Sequence, residues 1–255
     1  MSESTFHQTL LWAFLGLAPI TFLVLWFVTA PYGRHAQSSR GPTVDNRLGW
    51  LIMESPSAIV FFLCWLLGSR PTDPASLLFL GLWELHYFHR AFIYPFRLDN
   101  NKKRMPILVM ASAFCFTATN SYLNGRWLFG LGQTNGFVTP SIIEPHVLIG
   151  ALVFLLGFAI NQHADWVLMH LRKPGETGYK IPRGGLYELI TCPNYFGEII
   201  EWFGFALCTY SFPALVFALW TVANLLPRAH SHHRWYQKTF PDYPSTRKAI
   251  VPGIF

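Results

Sequence analysis

The chain has 255 residues, a formal net charge of +6 and a mean hydropathy of +0.30. Charged residues make up only 13% of it, about half of the roughly 25% that is usual in soluble domains. So few charges cannot cover the surface of a soluble protein of this length, which excludes a disordered chain, a basic nucleic-acid-binding domain and an ordinary cytosolic enzyme. The composition predicts an integral membrane protein.

Seven apolar stretches are long enough to cross a bilayer, which takes about 20 mostly apolar residues. A tight break at residues 211–213 separates the last two, because proline cannot continue the hydrogen-bond ladder of a helix. No internal repeat or long linker divides the chain. We therefore expect one all-α domain, residues 1–255, that crosses the membrane seven times. The predicted spans are 9–30, 51–68, 75–94, 105–123, 145–171, 194–212 and 213–229.

Basic residues fall almost wholly on alternate loops of this seven-span arrangement. One side receives few charges: Glu3, Arg70, Asp73, Arg126 and Glu144. Because basic residues gather in cytoplasmic loops, we expect the N-terminus on the outer or lumenal side and the C-terminus in the cytoplasm. The predicted cytoplasmic side receives Arg34, Arg40, Arg47, Arg97, Lys102, Lys103, Arg104, Arg172, Lys173, Lys180, Arg183 and the tail 228–248.

Three polar clusters lie within the predicted spans, toward the cytoplasmic end. Glu54 is in the second span, Glu-Leu-His-Tyr-Phe-His-Arg forms 84–90 in the third, and Asn-Gln-His-Ala-Asp forms 161–165 in the fifth. Such groups are costly in a membrane and usually face an interior cavity. Snorkelling side chains and structural ion pairs are the alternative explanation. Three clusters at the same end favour a buried polar pocket.

The sixth span begins, and the seventh ends, with further polar residues. Asn194, Glu198 and Glu201 lie at the start of the sixth span, and Arg-Ala-His-Ser-His-His-Arg-Trp-Tyr forms 228–236. We expect no metal site, because no H-E-x-x-H motif is present and the arginines would repel a cation. Arginine, histidine and tyrosine suit phosphates and a nucleotide instead. Neither G-x-G-x-x-G nor G-x-x-x-x-G-K-[ST] occurs, so a nucleotide would bind outside the Rossmann and P-loop schemes.

Taken together, these motifs resemble the steroid 5α-reductase family over nearly the whole chain. The matching segments are 54–57, 86–90, 171–176, 179–186, 194–202 and 240–252. The resemblance implies a seven-helix membrane enzyme that holds NADPH inside the bundle. It also implies that the enzyme reduces the Δ4 double bond of 3-oxo-Δ4 steroids, such as testosterone or progesterone, to 5α-reduced products.

The resemblance assigns the substrate carbonyl to Glu54 and Tyr87. Hydride delivery to C5 builds negative charge on the 3-carbonyl oxygen, and one donor at such an oxygen typically contributes about 10²–10³ in rate. Tyr87 is a neutral O–H donor, and we expect Glu54 to stay protonated because an ionised carboxylate is poorly solvated at the membrane boundary. The aromatic rings of Phe114 and Trp202 are expected to contact the flat steroid body.

The resemblance also implies a set of NADPH ligands. Amides and carboxylates suit the ribose and nicotinamide groups, and cationic side chains suit the pyrophosphate and the 2′-phosphate. The predicted cofactor-binding residues are Asn101, Arg104, Asn161, Asp165, Arg172, Tyr179, Asn194, Glu198, Arg228, His232 and Tyr236.

Other functions remain open at this point. An enoyl-CoA or polyprenol reductase would keep the cofactor site and change the substrate. An isoprenylcysteine carboxyl methyltransferase has a similar C-terminal pattern, but gives no role to Glu54 or to 86–90. A seven-helix receptor is a non-enzyme alternative. Its retinal-binding version is excluded, because none of the seven spans contains the lysine that a Schiff base needs. We expect a monomer without nucleic-acid or metal partners, in the endoplasmic reticulum of a eukaryote or the inner membrane of a bacterium.

Overall fold

Within the described part of the chain, seven long helices, one at each predicted span, form most of the structure. It is a computed structural model that describes residues 1–29, 41–69, 71–98, 103–173 and 176–255. The helices are α1 (Glu3–Phe27), α2 (Asn46–Leu66), α3 (Pro74–Phe88), α4 (Ile107–Arg126), α5 (Pro145–Met169), α6 (Pro193–Thr209) and α7 (Phe212–Thr239).

Shorter elements extend the helices or link them. The π-helical turn His89–Ile93 and the helical turn Tyr94–Arg97 continue α3, and Trp127–Leu131 and Gly132–Thr134 continue α4 in the same way. A 3₁₀ turn, Gly185–Glu188, precedes α6. Strands β1 (Thr43–Asp45) and β2 (Arg104–Pro106) pair antiparallel, with Val44 opposite Met105. This two-stranded sheet departs from the all-α expectation, because three-residue strands are too short to leave a period-2 pattern in the sequence.

Side-chain caps explain where two of the helices begin. The Asp45 carboxylate accepts hydrogen bonds from the backbone N–H groups of Arg47 and Leu48 at the start of α2. Asp73 does the same for the first turn of α3, where Pro74 occupies the first helical position. Aspartate at this position satisfies N–H groups that have no partner within the helix. The two aspartates therefore determine the residues at which α2 and α3 begin.

Helices α5 and α6 approach each other closely because glycines line their contact. A Cβ atom added at Gly197 would lie 2.6 Å from the backbone nitrogen of Asn161, and one at Gly157 would lie 2.6 Å from the carbonyl oxygen of Gly197. Only glycine leaves room for backbones this close. The contact brings the polar residues of α5 beside those at the start of α6.

The loops form two groups, one at each end of the helix bundle, and loops within a group contact each other. At one end, the guanidinium of Arg126 makes a bidentate ion pair with Glu3, at 2.7 and 2.8 Å. The backbone N–H of Ser69 also donates to the carbonyl of Phe129, at 3.0 Å. At the other end, the β1–β2 pair joins the loop before α2 to the loop before α4. This grouping agrees with the alternation of the predicted loops, while the count of seven spans and the orientation stay predictions.

The lengths and compositions of four helices are those of membrane-spanning helices. In the part of the chain that the structure describes, α1, α2, α5 and α7 are long and apolar enough to cross a bilayer. Large apolar side chains on their outer faces are exposed, including Trp12, Phe62 and Leu152. Exposed apolar surface of this extent on long helices is typical of contact with lipid. The chain is therefore a membrane protein.

Candidate active site

The centre of the bundle holds an aromatic cluster around Tyr87. The ring of Tyr87 on α3 lies 5.4 Å from that of Trp202 on α6 and 5.0 Å from that of Trp83, measured between centroids. All three side chains are buried. The indole N–H of Trp83 donates to the carbonyl of Ser57 at 2.9 Å, which ties α3 to α2. Tyr87 is thus buried where side chains and backbone of three helices meet.

An imidazole–carboxylate pair joins α3 to α6 beside this cluster. His86 Nδ1 lies 2.8 Å from Glu201 Oε1, and both side chains are buried. The second carboxyl oxygen of Glu201 has no hydrogen-bond partner among the described residues. The two residues are 115 positions apart in the chain, so the sequence alone does not pair them.

The structure brings the two predicted carbonyl-binding residues into one electrostatic neighbourhood. Glu54 is half-buried on α2 and interacts electrostatically with Arg90, His86 and Glu198. Tyr87 in turn interacts with Glu54 and Glu198. Polar groups from α2, α3 and α6 therefore lie within electrostatic reach of one another.

A hydrogen-bonded network continues from this pocket into α5. The guanidinium of Arg90 lies 3.5 Å from Asp165 Oδ2. The side-chain amide of Asn194 donates to Asp165 Oδ1 at 3.3 Å, and that of Asn161 donates to the carbonyl of Asn194 at 3.0 Å. Three predicted cofactor ligands, Asn161, Asp165 and Asn194, are therefore in contact, and the close packing of α5 against α6 makes that contact possible.

Two aromatic rings beside Arg90 were not singled out from the sequence. Its guanidinium carbon lies 4.7 Å from the ring centroid of Trp50 and 4.5 Å from that of Tyr94. A guanidinium over an aromatic face is held by the ring quadrupole. The signal that could have found both is helical spacing, since Trp50 lies four residues before Glu54 and Tyr94 four residues after Arg90.

Several of the other predicted cofactor ligands gather where α7 passes the start of α6. The Tyr195 hydroxyl lies 3.2 Å from His232 Nε2, and the Arg228 guanidinium lies over the Tyr195 ring at 5.6 Å. The Tyr236 hydroxyl donates to the carbonyl of Lys180 at 3.5 Å, which joins α7 to the loop after α5. In the same loop, Tyr179 packs edge-on against Trp235, and Arg172 donates to the carbonyl of Gly178 at 3.3 Å. Cationic and phenolic side chains from three segments thus surround one end of α6.

The C-terminal tail is hydrogen-bonded to the segment just before α6. Backbone hydrogen bonds join Thr191 to Lys248 at 2.8 Å and Cys192 to Ala249 at 3.1 Å. The backbone N–H of Gly184 donates to the Glu188 carboxylate at 2.6 Å. This bond, together with the nearby arginines 247 and 183, holds the pKa of Glu188 below its usual range. The turn before α6 therefore carries a stable negative charge at neutral pH.

The structure does not bring every predicted residue to the pocket. Arg104 is exposed, and its guanidinium donates to the hydroxyl and carbonyl oxygens of Thr43, at 2.9 and 2.6 Å. The Phe114 side chain is 43% exposed on α4, whereas Trp202 is 1% exposed. Asn101 lies outside the described residues. The role of every predicted site residue stays a prediction.

No group of three or more His, Cys, Asp or Glu side chains that could hold a metal ion occurs within the ranges that the structure describes. The polar groups of the pocket are instead amides, carboxylates, guanidinium groups and phenols, most of them paired with each other. Such a set can bind a ligand that carries phosphate, hydroxyl and amide groups.

Comparison with known proteins connects this pocket with one family. Residues 103–255 match the family described as 3-oxo-5-alpha-steroid 4-dehydrogenase. The chain is 41% identical over 257 residues to a steroid 5-alpha-reductase of Gossypium hirsutum, covering 99% of this chain and 98% of the relative. It is 37% identical over 243 residues to 3-oxo-5-alpha-steroid 4-dehydrogenase 1 of Bos taurus, covering 94% and 93%. The human protein of that name is 41% identical over 226 residues, covering 88% and 86%.

Proposed function

The chain belongs to the 3-oxo-5-alpha-steroid 4-dehydrogenase family of oxidoreductases, and from this membership we propose that it reduces the Δ4 double bond of 3-oxo-Δ4 steroids with NADPH. The observation that supports the proposal is that buried Tyr87 interacts electrostatically with Glu54 and Glu198, which brings polar groups of three helices together inside an apolar bundle. The products are the corresponding 5α-reduced 3-oxo steroids. The reaction adds one hydride at C5 and one proton at C4, so that the C4–C5 double bond becomes a single bond.

The proposed roles of the protein groups follow from the charge that develops on the substrate. As C5 accepts the hydride, the electron pair of the double bond shifts toward the 3-carbonyl oxygen. The hydroxyl of Tyr87 and the protonated carboxyl of Glu54 stabilise that oxygen by donating hydrogen bonds to it. The surrounding rings of Trp83 and Trp202 exclude water, which strengthens both bonds.

The side chains of the pocket fit a dinucleotide with an additional phosphate. Amide and carboxylate groups of α5 and α6, buried at Asn161 and Asp165 and partly buried at Asn194 and Glu198, suit ribose hydroxyls and a carboxamide. Cationic and phenolic groups of α7 and the loop after α5 (Arg172, Tyr179, Arg228, His232 and Tyr236) suit phosphates. When bound, NADPH supplies the hydride. We extend the set to Arg104 and Asn101.

The steroid body is proposed to lie against aromatic side chains. Trp202 contributes from the centre of the bundle and Phe114 from the exposed side of α4. A flat apolar ligand reaches such a site from the bilayer, in which it dissolves. We propose a monomer in the endoplasmic reticulum of a eukaryote or the inner membrane of a bacterium, with the cofactor mouth facing the cytoplasm.

The test is incubation of the purified protein with NADPH and separate 3-oxo-Δ4 steroids, enoyl-CoAs and polyprenols. Mass spectrometry should show a gain of two hydrogens in the steroids alone. NADH in place of NADPH should support a slower reaction, because the 2′-phosphate would lose its cationic partners. If only enoyl-CoAs or only polyprenols were reduced, the proposed steroid substrate would be wrong, although the protein would still be a reductase. Thermal stabilisation by S-adenosylmethionine but not by NADPH would overturn the reductase function itself.

A further inference from the structure

The hydroxyl of Ser57 on α2 is buried without its usual local partner. Ser57 is fully buried, and its Oγ atom forms no hydrogen bond of normal geometry with any described residue. A helical serine often donates to the carbonyl oxygen four residues earlier, which here is that of Met53. That oxygen accepts from the Thr117 hydroxyl of α4 at 2.7 Å, besides the backbone N–H that it accepts in an α-helix. Both of its lone pairs are therefore engaged, and the Ser57 hydroxyl is available to another group.

Two aromatic contacts define the register between α2 and α3. The rings of Phe61 on α2 and Trp83 on α3 stack with centroids 4.2 Å apart. Earlier on α2, the ring of Trp50 lies 5.3 Å from that of Tyr94, in the helical turn that continues α3. Earlier residues of α2 thus meet later residues of α3, so the two helices run antiparallel.

This register places Ser57 opposite Tyr87. Ser57 lies one helical turn before Phe61, and Tyr87 lies one turn after Trp83. The indole N–H of Trp83 donates to the carbonyl of Ser57 at 2.9 Å, which holds the two helices at this level. The hydroxyl groups of Ser57 and Tyr87 interact, although their geometry falls short of a normal hydrogen bond. Hydrogen bonds of catalytic groups often tighten only when the substrate binds.

We propose that Ser57 is a positioning residue for Tyr87, whose phenolic oxygen accepts a hydrogen bond from Ser57 while its O–H donates to the 3-carbonyl oxygen of the steroid. The inference rests on the proposed function and adds a residue to its machinery. The phenol has a single hydrogen, and the substrate takes it, so Ser57 is the donor between the two hydroxyls. A bond accepted by the phenolic oxygen polarises its O–H group and strengthens the bond that the phenol donates.

The position of Ser57 also sets the level of the phenol. Ser57 follows Glu54 by three residues, so the two side chains are neighbours on one face of α2. A Tyr87 hydroxyl held by Ser57 therefore stays close to the second proposed donor, Glu54. The contribution of Ser57 should grow as negative charge develops on the substrate oxygen. Its loss should therefore lower kcat and leave the KM values nearly unchanged.

The first test compares variants of Ser57 by kcat and KM. Ser57→Ala should lower kcat about tenfold, while the KM values for steroid and NADPH change by less than about twofold. Ser57→Cys keeps a similar shape and a weak S–H donor, so its kcat should lie between those of the alanine variant and the unmodified protein. The matched control is Ser121→Ala, which removes a buried hydroxyl of α4 that donates to the carbonyl of Thr117 at 2.8 Å. Its kcat should not change.

Two outcomes of this test separate the inference from the function on which it rests. An unchanged kcat in folded Ser57→Ala protein would overturn the role of Ser57 and leave the reductase function intact. Failure of the unmodified, folded protein to reduce any 3-oxo-Δ4 steroid with NADPH would overturn the proposed function instead.

The second test distinguishes positioning through Tyr87 from a purely structural role. In a Tyr87→Phe background the phenolic oxygen is gone, so Ser57→Ala should change the single-turnover rate by less than about twofold. A structural role would give the same tenfold loss in both backgrounds, and that result would overturn the inference. Melting temperatures of the four proteins show whether each is folded. If Ser57→Ala does not fold, Ser57→Cys takes its place, and its smaller loss should likewise disappear in the Tyr87→Phe background.

Discussion

Tyr87 combines full burial with a hydroxyl group that the proposed mechanism uses directly. Tyr87→Phe keeps the ring and its packing against Trp83 and Trp202. We expect turnover to fall by about 100-fold or more, which is the usual effect of removing one donor from a developing oxyanion. The melting temperature should change little. Single-turnover rates and thermal unfolding of the same preparation measure the two effects.

The control for Tyr87 is Tyr210→Phe, which removes a phenol that is 74% exposed at the break between α6 and α7. Its turnover should match that of the unmodified protein. Unmodified turnover in folded Tyr87→Phe protein would remove Tyr87 from the mechanism and leave Glu54 as the proposed donor.

Glu54 allows a distinction between a hydrogen-bond donor and an ionised base. Glu54→Gln retains an N–H donor, so it should cost less turnover than Glu54→Ala, which leaves the substrate oxygen with one partner. An ionised base would behave differently, because neither glutamine nor alanine can accept the proton. Equal losses in the two variants, with cofactor affinity unchanged, would therefore contradict the donor role. The measurement is kcat for both variants at saturating NADPH.

At the scale of the elements, the α5–α6 contact positions the residues of the proposed cofactor site. A Cβ atom at Gly157 would clash with the backbone of Glu201 on α6. Gly157→Ala should therefore destabilise the protein by about 1–3 kcal/mol, the usual cost of overpacking. It should also raise the KM for NADPH, because Asn161 and Asp165 would move away from Asn194.

A glycine of α1 provides the control for this contact. A Cβ atom at Gly16 would meet nothing within 4 Å, and alanine favours a helix over glycine by about 1 kcal/mol. Gly16→Ala should thus preserve or raise the melting temperature. If Gly157→Ala melted no lower than Gly16→Ala, the close contact would not be the constraint that we infer.

Sequence periodicity located the helices better than it located their ends. The prediction starts the second span at residue 51, whereas α2 begins at Asn46, because the Asp45 cap starts the helix in polar sequence. The seventh span was expected to end at 229, but α7 continues to Thr239. Hydropathy detects apolar residues, so it misses helical turns held by caps and by polar packing.

At the scale of the whole molecule, the orientation in the membrane is open to a direct test. In a Cys115→Ser background, Ser141→Cys and Ser245→Cys place thiols on exposed residues of opposite predicted sides. A membrane-impermeant reagent added to the outer or lumenal face should label only position 141. Labelling of position 245 alone would show that the orientation is the reverse of the predicted one. Labelling of both positions from one face would contradict the odd number of spans that is predicted between them.

The sequence by itself determined the class of the protein and the places of its main helices. Few charges, seven apolar stretches and polar residues within them are local properties, and each can be found without knowing its neighbours. Glu54, Tyr87, Asn161 and Asp165 could be singled out for the same reason, because ionisable or amide groups in apolar stretches are unusual.

Only the tertiary structure decided which of these residues meet. The pairing of His86 with Glu201 spans 115 positions, and that of Arg90 with Asp165 spans 75. Side-chain neighbours across helices depend on how closely and at what angle the helices pack. In this chain that packing depends on backbone contacts at glycines, and hydropathy carries no information about it.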